Sequence, residues 1–541
     1  MSDLKEYIVT AANYEILDDL CNDIETPGGA LYIPNRAVEV ANPRPSSRNT
    51  HYYLTDAEAE LIRKDPRVLA VEQLPEALGL IPSPMWTQTE TTWDKSSSNI
   101  SSHKNWGLLR VTEGATRSNW GSNGTFSQSG TVIANAAGKD VDIVVVDGLF
   151  NPDHIEYAVN INGTGGSRVN QYNWYQHNPE VTGSAAGTYV YTPYTGTSAE
   201  TQNNHGAHVA GTVAGNTQGW ARDATIYNIF PYGTNPSTIF IFDYIRAFHR
   251  AKPINPATGL RKPTITNNSW GFRSLIPYTL LTSVTFRGTT YSGPFTISQL
   301  QNYGITVDSL NRAVLSSRNA AVDADIADAI AEGIIVVGSA GNNFQKNDIL
   351  GGTDYDNNVV YSGLPYYYNR GSTPASADNV ICVGAASALI NDSKATFSNC
   401  GPRVDIYAPG GNIMSSLNII NSDWPGVSDP RNSVYKIGKA QGTSMASPQV
   451  CGVLACILEI YPNMKQSEAI SYITSYAKTG QIAATSGGVT DYTDLQGSPN
   501  RYLFYVKERA STGEVYPKKN YEARPTEGAV FPRTRILRYG S

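Results

Sequence analysis

A series of short strings rich in Val and Ile, "VDIVVV" at 141–146, "TITNN" at 264–268, "GIIVVGSAGN" at 333–342, "NVICVGAA" at 379–386 and "VDIYAPG" at 404–410, constrains the fold of this 541-residue chain. Apolar runs without polar alternation are the pattern of strands covered on both faces, which occurs in parallel sheets flanked by helices. Between two of these strings, "NAAVDADIADAIAEG" places Val322, Ile326, Ala329 and Ile330 at helical spacing ahead of the strand from Ile334 to Val337. That is an α/β crossover. Ligands bind such sheets beyond the carboxyl ends of the strands. Asp147 follows "VDIVVV", Ser269 follows "TITNN" and Asn342 follows "IIVVGSAG", so these polar residues stand where chemistry is expected.

The rest of the chain divides by composition. Residues 1 to about 80 read as a separate small α+β unit in the order β-α-β-α-β, carried by "EYIVTAA", "YEILDDLCNDI", "ALYIPN", "TDAEAELIRKDP" and "VLAVEQL". The Thr-Asp start and closing Pro predict a helix that ends before Pro66. Residues 81–104 are rich in Pro, Ser and Thr and read as a linker. The main domain is expected over 105–505, with two insertions of little core signal, 157–203 and 272–312. Residues 506–541 form a basic tail: from 507 on they hold eight Lys or Arg against four Glu.

A net charge of -6 gives no reason to expect nucleic acid or an anionic membrane surface as partner. The chain has no apolar run of membrane-spanning length, and its start lacks the basic end and apolar stretch of a secretory signal. The expectation is a cytoplasmic or virion-associated protein. Five cysteines without regular spacing predict free thiols. Cys451 and Cys456, in "VCGVLACILEI", read as small core hydrophobes.

Ser444, in "GKAQGTSMASPQV", stands where a turn opens a helix. There its hydroxyl serves either as a cap or as a nucleophile beside the unpaired first-turn amides. "NNHGAHVAGTVAG" opens a second helix with His205 and His208, three apart; they share a metal-binding face only if an acidic partner joins them, and none lies at a zinc-binding offset. Asp147 alone is equally consistent with a cap. Together the three give the chain order Asp, His, Ser on an open α/β sheet, one of the orders in which a Ser-His-Asp set occurs.

On these motifs the chain resembles the subtilisin-like serine proteases, the subtilases (peptidase family S8), over about residues 105–480. "VDIVVVDGLFNPDH", "HGAHVAGTVAG" and "GTSMASPQVCG" resemble the family's aspartate, histidine and serine motifs, "NNSWG" its substrate-binding strand and "SAGNN" its oxyanion turn. The resemblance implies a three-layer α/β domain with a mostly parallel sheet, preceded by an inhibitory α+β prodomain, with "NWGLLRV" at 105–111 as the start of the mature enzyme. It implies catalytic roles for Asp147, His205 and Ser444, an oxyanion role for Asn342, and substrate contacts from Ser269, Trp270, Gly271, Gly341 and Asn343. The implied activity is hydrolysis of peptide bonds in a protein or peptide substrate, by a self-inhibited zymogen. No cofactor is required for that chemistry, no metal site is read from the residues, and structural calcium stays open. The chain departs from the family where Gly148 follows Asp147 in place of Ser or Thr, and where Ala207 follows Gly206. The rival expectation is a virion or assembly protein on a protease-like domain, using its insertions and tail for partners, with similarity to domains of tailed-phage particles. A metal hydrolase built on His205 and His208 is a third.

Overall fold

The computed structural model describes residues 4–32, 40–73, 86–115, 127–231 and 238–506, apart from 14, 44–47, 97–99, 101–102, 192, 197–203, 257–258 and 390. The chain divides into two compact units, with the boundary between residues 83 and 84.

In the first unit, four antiparallel strands run in the order Val40–Pro43, Asn49–Leu54, Lys5–Ala11, Val68–Gln73, with helices Leu17–Glu25 and Asp56–Arg63. Thr55 and Glu58 form a capping box on the second helix, which ends before Pro66 as expected. Val9, Leu20, Ile24, Tyr52 and Ile62 fill a core of its own. The sequence pattern misses the hairpin of Val40–Pro43 and Asn49–Leu54, since "NTHYYL" mixes polar residues into a strand whose His51 is buried against Glu6 Oε1 at 2.7 Å. Of the strand expected in "ALYIPN", residues 30–32 are turn and irregular chain, and 33–35 lie outside the described residues.

The second unit is built on a nine-stranded sheet. Its seven central strands, Arg501–Tyr502, Ile406–Pro409, Ile381–Ala386, Ile335–Ser339, Thr264–Asn268, Asp142–Val146 and Thr225–Ile229, are adjacent in that order and parallel. Every residue of Asp142–Val146, Thr264–Asn268 and Ile335–Ser339 is buried, as two covered faces require. Val144, Val146 and Val336 join helices Ile241–Ala251 and Ala320–Ala331 in one core cluster. Helices Asn204–Ala214 and Thr443–Ile460 pack against each other, and the latter against four strands of the sheet. The expected three-layer α/β domain is therefore present. Thr443–Ile460 is long and apolar enough to cross a membrane, but here it is a buried core helix.

Three expectations are corrected. The supposed linker contains the strand Trp86–Asp94, paired antiparallel with Ser127–Ala134 and carrying a fully buried Trp93; the Thr residues that help signal a linker also suit a half-exposed strand. Residues 272–312 are not coreless: with 358–367 they form two small sheets around Ile276, Val284, Phe295, Leu300 and Tyr368. Their apolar residues come from short strands distant in sequence, so no local period reveals them. In 157–203, Trp174 is buried against Phe248 and donates from Nε1 to the Asn228 carbonyl at 2.7 Å. The tail from 507 lies outside the described residues. All five cysteines are free and buried, and burial pushes the Cys382 and Cys400 thiols up to about 12.

Candidate active site

A cleft of about 460 Å³ opens at the carboxyl ends of the strands Asp142–Val146, Thr264–Asn268 and Ile335–Ser339. Asp147, His205, Ser269, Trp270, Gly271, Gly341, Asn342, Asn343 and Ser444 all line it, so every site residue expected from the sequence comes to one place.

Asp147 is fully buried at the end of its strand, and its carboxylate accepts from the Gly148 amide at 2.7 Å. His205 Nδ1 lies 2.8 and 2.9 Å from the two carboxylate oxygens. A carboxylate only accepts, so Nδ1 carries the proton and neutral His205 keeps a lone pair on Nε2. Burial opposes the imidazolium, but the charge and hydrogen bonding of Asp147 outweigh it and raise His205 above its ordinary 6.5. The helix bearing His205 approaches closely because residue 206 is glycine: a Cβ there would sit 1.9 Å from the Gly148 carbonyl oxygen. The Gly148 amide supplies one hydrogen bond to Asp147 in a chain that lacks a hydroxyl at 148.

His208, on the same helix, serves differently. It is fully buried and its Nε2 donates to the Ile413 carbonyl at 2.8 Å, which leaves that nitrogen no lone pair for a metal. Burial pushes it down to about 3, so it is a neutral core residue.

Ser444 is the second residue of the helix Thr443–Ile460, and its hydroxyl donates to the Ser269 carbonyl at 3.2 Å. Pro448, four residues on, has no N–H to offer the Ser444 carbonyl. Ser269 Oγ takes that place at 3.0 Å, giving a reciprocal pair between the helix start and the strand end. Thr443 aligns the other wall: its amide and hydroxyl both donate to Asn342 Oδ1, at 2.8 and 2.9 Å. The Asn342 NH₂ is thereby left pointing away from Thr443, and Nδ2 lies 3.5 Å from where a Gly442 Cβ would be. Among the described residues neither Asn342 Nδ2 nor the Ser444 amide has a hydrogen-bond partner. Gly341, at φ 108°, brings this turn against Asn399, whose Nδ2 would lie 2.5 Å from an added Cβ. Phe272, Arg273, Ser316, Ser339, Ser372 and Thr443 also line the cleft and were not expected from the sequence. Only Thr443 and the residues next to "NNSWG" carried any signal, by adjacency.

The chain is similar to known proteins. Residues 138–499 match the model of the subtilase family. Subtilisin-like serine protease Pen ch 18.0101 of Penicillium rubens is 25% identical over 444 residues, covering 82% of this chain and 67% of the relative. Subtilisin-like serine protease Cla h 9.0101 of Davidiella tassiana is 28% identical over 398 residues, covering 73% of this chain and 57% of the relative. A cold-adapted subtilisin-like serine proteinase of known crystal structure is 20% identical, with a TM-score of 0.45, over 75% of this chain and 99% of its own. These relatives overturn the expected cytoplasmic or virion-associated location: fungal subtilisin-like serine proteases point to an extracellular setting, and the character of the first residues does not decide it. With the family match spanning more than half of its length, this chain belongs to the subtilase family.

Proposed function

We propose that the chain is a serine endopeptidase acting on protein or peptide substrates, made as a self-inhibited zymogen. The observation that carries the reading is the Asp147–His205 hydrogen bond in the same cleft as Ser444. In this mechanism the Ser444 hydroxyl attacks the scissile carbonyl while His205 Nε2 takes its proton, then returns it to the leaving amine. Asp147 holds the ring in the right tautomer and stabilises the cation that forms. Asn342 Nδ2 and the Ser444 amide, both without other partners among the described residues, receive the developing oxyanion. Water repeats the sequence to release the acyl group. These steps need no cofactor, because the base and the charge stabilisation come from side chain and backbone. A peptide would lie along Ser269, Trp270 and Gly271 as an added strand, with Gly341 and Asn343 on the opposite wall. The N-terminal unit fits an inhibitory prodomain in being a compact unit with its own core.

A fluorophosphonate tests the reading directly, since it phosphonylates only an activated serine. It is expected to label Ser444, read by mass spectrometry of the digested adduct. His205 must be neutral to act, so labelling should rise with pH through a midpoint above 6.5 and be lost as pH falls through that midpoint. Protein that stays unlabelled at pH 8, both as the full chain and when made to begin at residue 84 without the N-terminal unit, would sink the proposal.

Asn342→Ala should lower kcat by about 100- to 1,000-fold with little change in KM, since its amide is needed once charge develops on the carbonyl oxygen. A change confined to KM would take Asn342 out of the oxyanion site.

A further inference from the structure

Beside the reacting groups, the cleft has a polar wall that peptide hydrolysis itself does not use. Arg273 begins the strand Arg273–Pro277 and stands directly opposite Ser316 on the antiparallel strand Arg312–Ser316. Residues opposite each other in such a ribbon point to the same face, and both of these line the cleft. Ser339 and Ser372, both nearly buried, line it as well. Among the described residues neither of their hydroxyls has a hydrogen-bond partner.

Arg273 is the only lysine or arginine lining the cleft, it is exposed, and it forms no ion pair among the described residues. The other ionisable side chains of the lining, Asp147 and His205, are hydrogen-bonded to each other. Both strands of the ribbon are fixed at the end that carries Arg273: the Phe272 amide donates to the Thr373 carbonyl at 3.1 Å, and Ser316 Oγ to Gln345 Oε1 at 2.7 Å. A lone guanidinium beside free hydroxyls offers donors only to an acceptor, and a carboxylate matches its fork.

We propose that this wall is a specificity pocket for an acidic side chain of the substrate, with Arg273 as its anion-binding residue. The proposal rests on the serine endopeptidase reading and narrows its substrates to chains carrying Asp or Glu at one position beside the cleaved bond. Binding a peptide excludes water from the cleft, so the pairing gains strength on substrate docking. The alternative for the same Arg, a solvated residue on the rim, gives no preference at all.

The experiment uses the full chain and fluorogenic peptides with blocked ends, so that only side chains supply carboxylates. Each flanking position is set in turn to Glu, Gln or Lys. Glu is expected to exceed Gln in kcat/KM by about 10- to 100-fold at one position, the worth of a charge-assisted hydrogen bond. That ratio should shrink in high salt. It should vanish in Arg273→Gln, and in Arg273→Glu the preference should turn to Lys at the same position. Because each ratio is internal to one protein, a general loss of activity does not alter it, and the wild-type ratio stands even if a variant fails to fold. Wild-type protein that is labelled by fluorophosphonate yet cleaves Glu and Gln peptides equally at every position overturns the pocket alone. Protein that is unlabelled both as the full chain and when made to begin at residue 84 overturns the endopeptidase reading instead.

Discussion

Ser444→Ala and His205→Ala are each expected to remove peptidase activity by a factor on the order of 10⁴ to 10⁶, and the double variant to be no slower than the worse single one. The reason lies in how the groups depend on one another. Without Ser444 there is no oxygen for His205 to deprotonate; without His205 the serine hydroxyl keeps its proton at neutral pH. Each loss therefore removes the same step. Folding should survive both changes, because His205 is 28% exposed in its side chain and Ser444 borders the cleft. Small residual turnover should persist from binding and from the oxyanion donors, Asn342 and the residue 444 amide, which neither substitution removes. Steady-state kinetics on one peptide, with circular dichroism of all three variants, makes the comparison. If the losses multiply, His205 and Ser444 act on separate steps and the shared mechanism is wrong.

The central sheet and the cleft were legible in the sequence because their signals are local. "VDIVVV" has the β-branched run of a strand with two buried faces, and the residue after such a strand is delivered to the sheet's carboxyl edge by the geometry of the crossover. What was hidden depends on partners far away in the chain. The sheets formed by 273–316 with 358–367 look coreless because Val284 meets Val359 across 75 residues. Arg273 gave no sign of lining a cleft, since that depends on its pairing with Ser316. The strand Trp86–Asp94 was hidden by composition: Thr and Gln suit a linker and a half-exposed strand alike.

Under the proposed zymogen reading, that strand limits where a self-processing cut can fall. Wild-type protein is expected to release a catalytic fragment that begins on the N-terminal side of Trp86, while Ser444→Ala stays full length. The sequence motif "NWGLLRV" points instead to a start at 105, and the structure supplies the reason to reject it. Trp93 is fully buried and donates from Nε1 to the Gly130 carbonyl at 2.9 Å. Just beyond it, Lys95 Nζ lies 2.6 Å from Asp392 Oδ1, and Arg110 Nε lies 2.6 Å from Asp392 Oδ2, with all three side chains fully buried. Asp94, also fully buried, pairs with Lys439 Nζ at 2.9 Å. A chain starting at 105 would leave Lys439 without its Asp94 partner and Asp392 with Arg110 alone, and breaking a buried pair from one side costs about 3–5 kcal/mol. Losing the buried tryptophan costs about as much again. The sum rivals the whole stability of an ordinary domain, about 5–15 kcal/mol. A protein made to begin at 105 should therefore fail to fold cooperatively on thermal melting, whereas one made to begin at 84 should melt as a folded unit. N-terminal sequencing of the self-processed wild type tests the same point: a stable, active fragment starting at Asn105 would show that the strand Trp86–Asp94 and its buried ion pairs are dispensable.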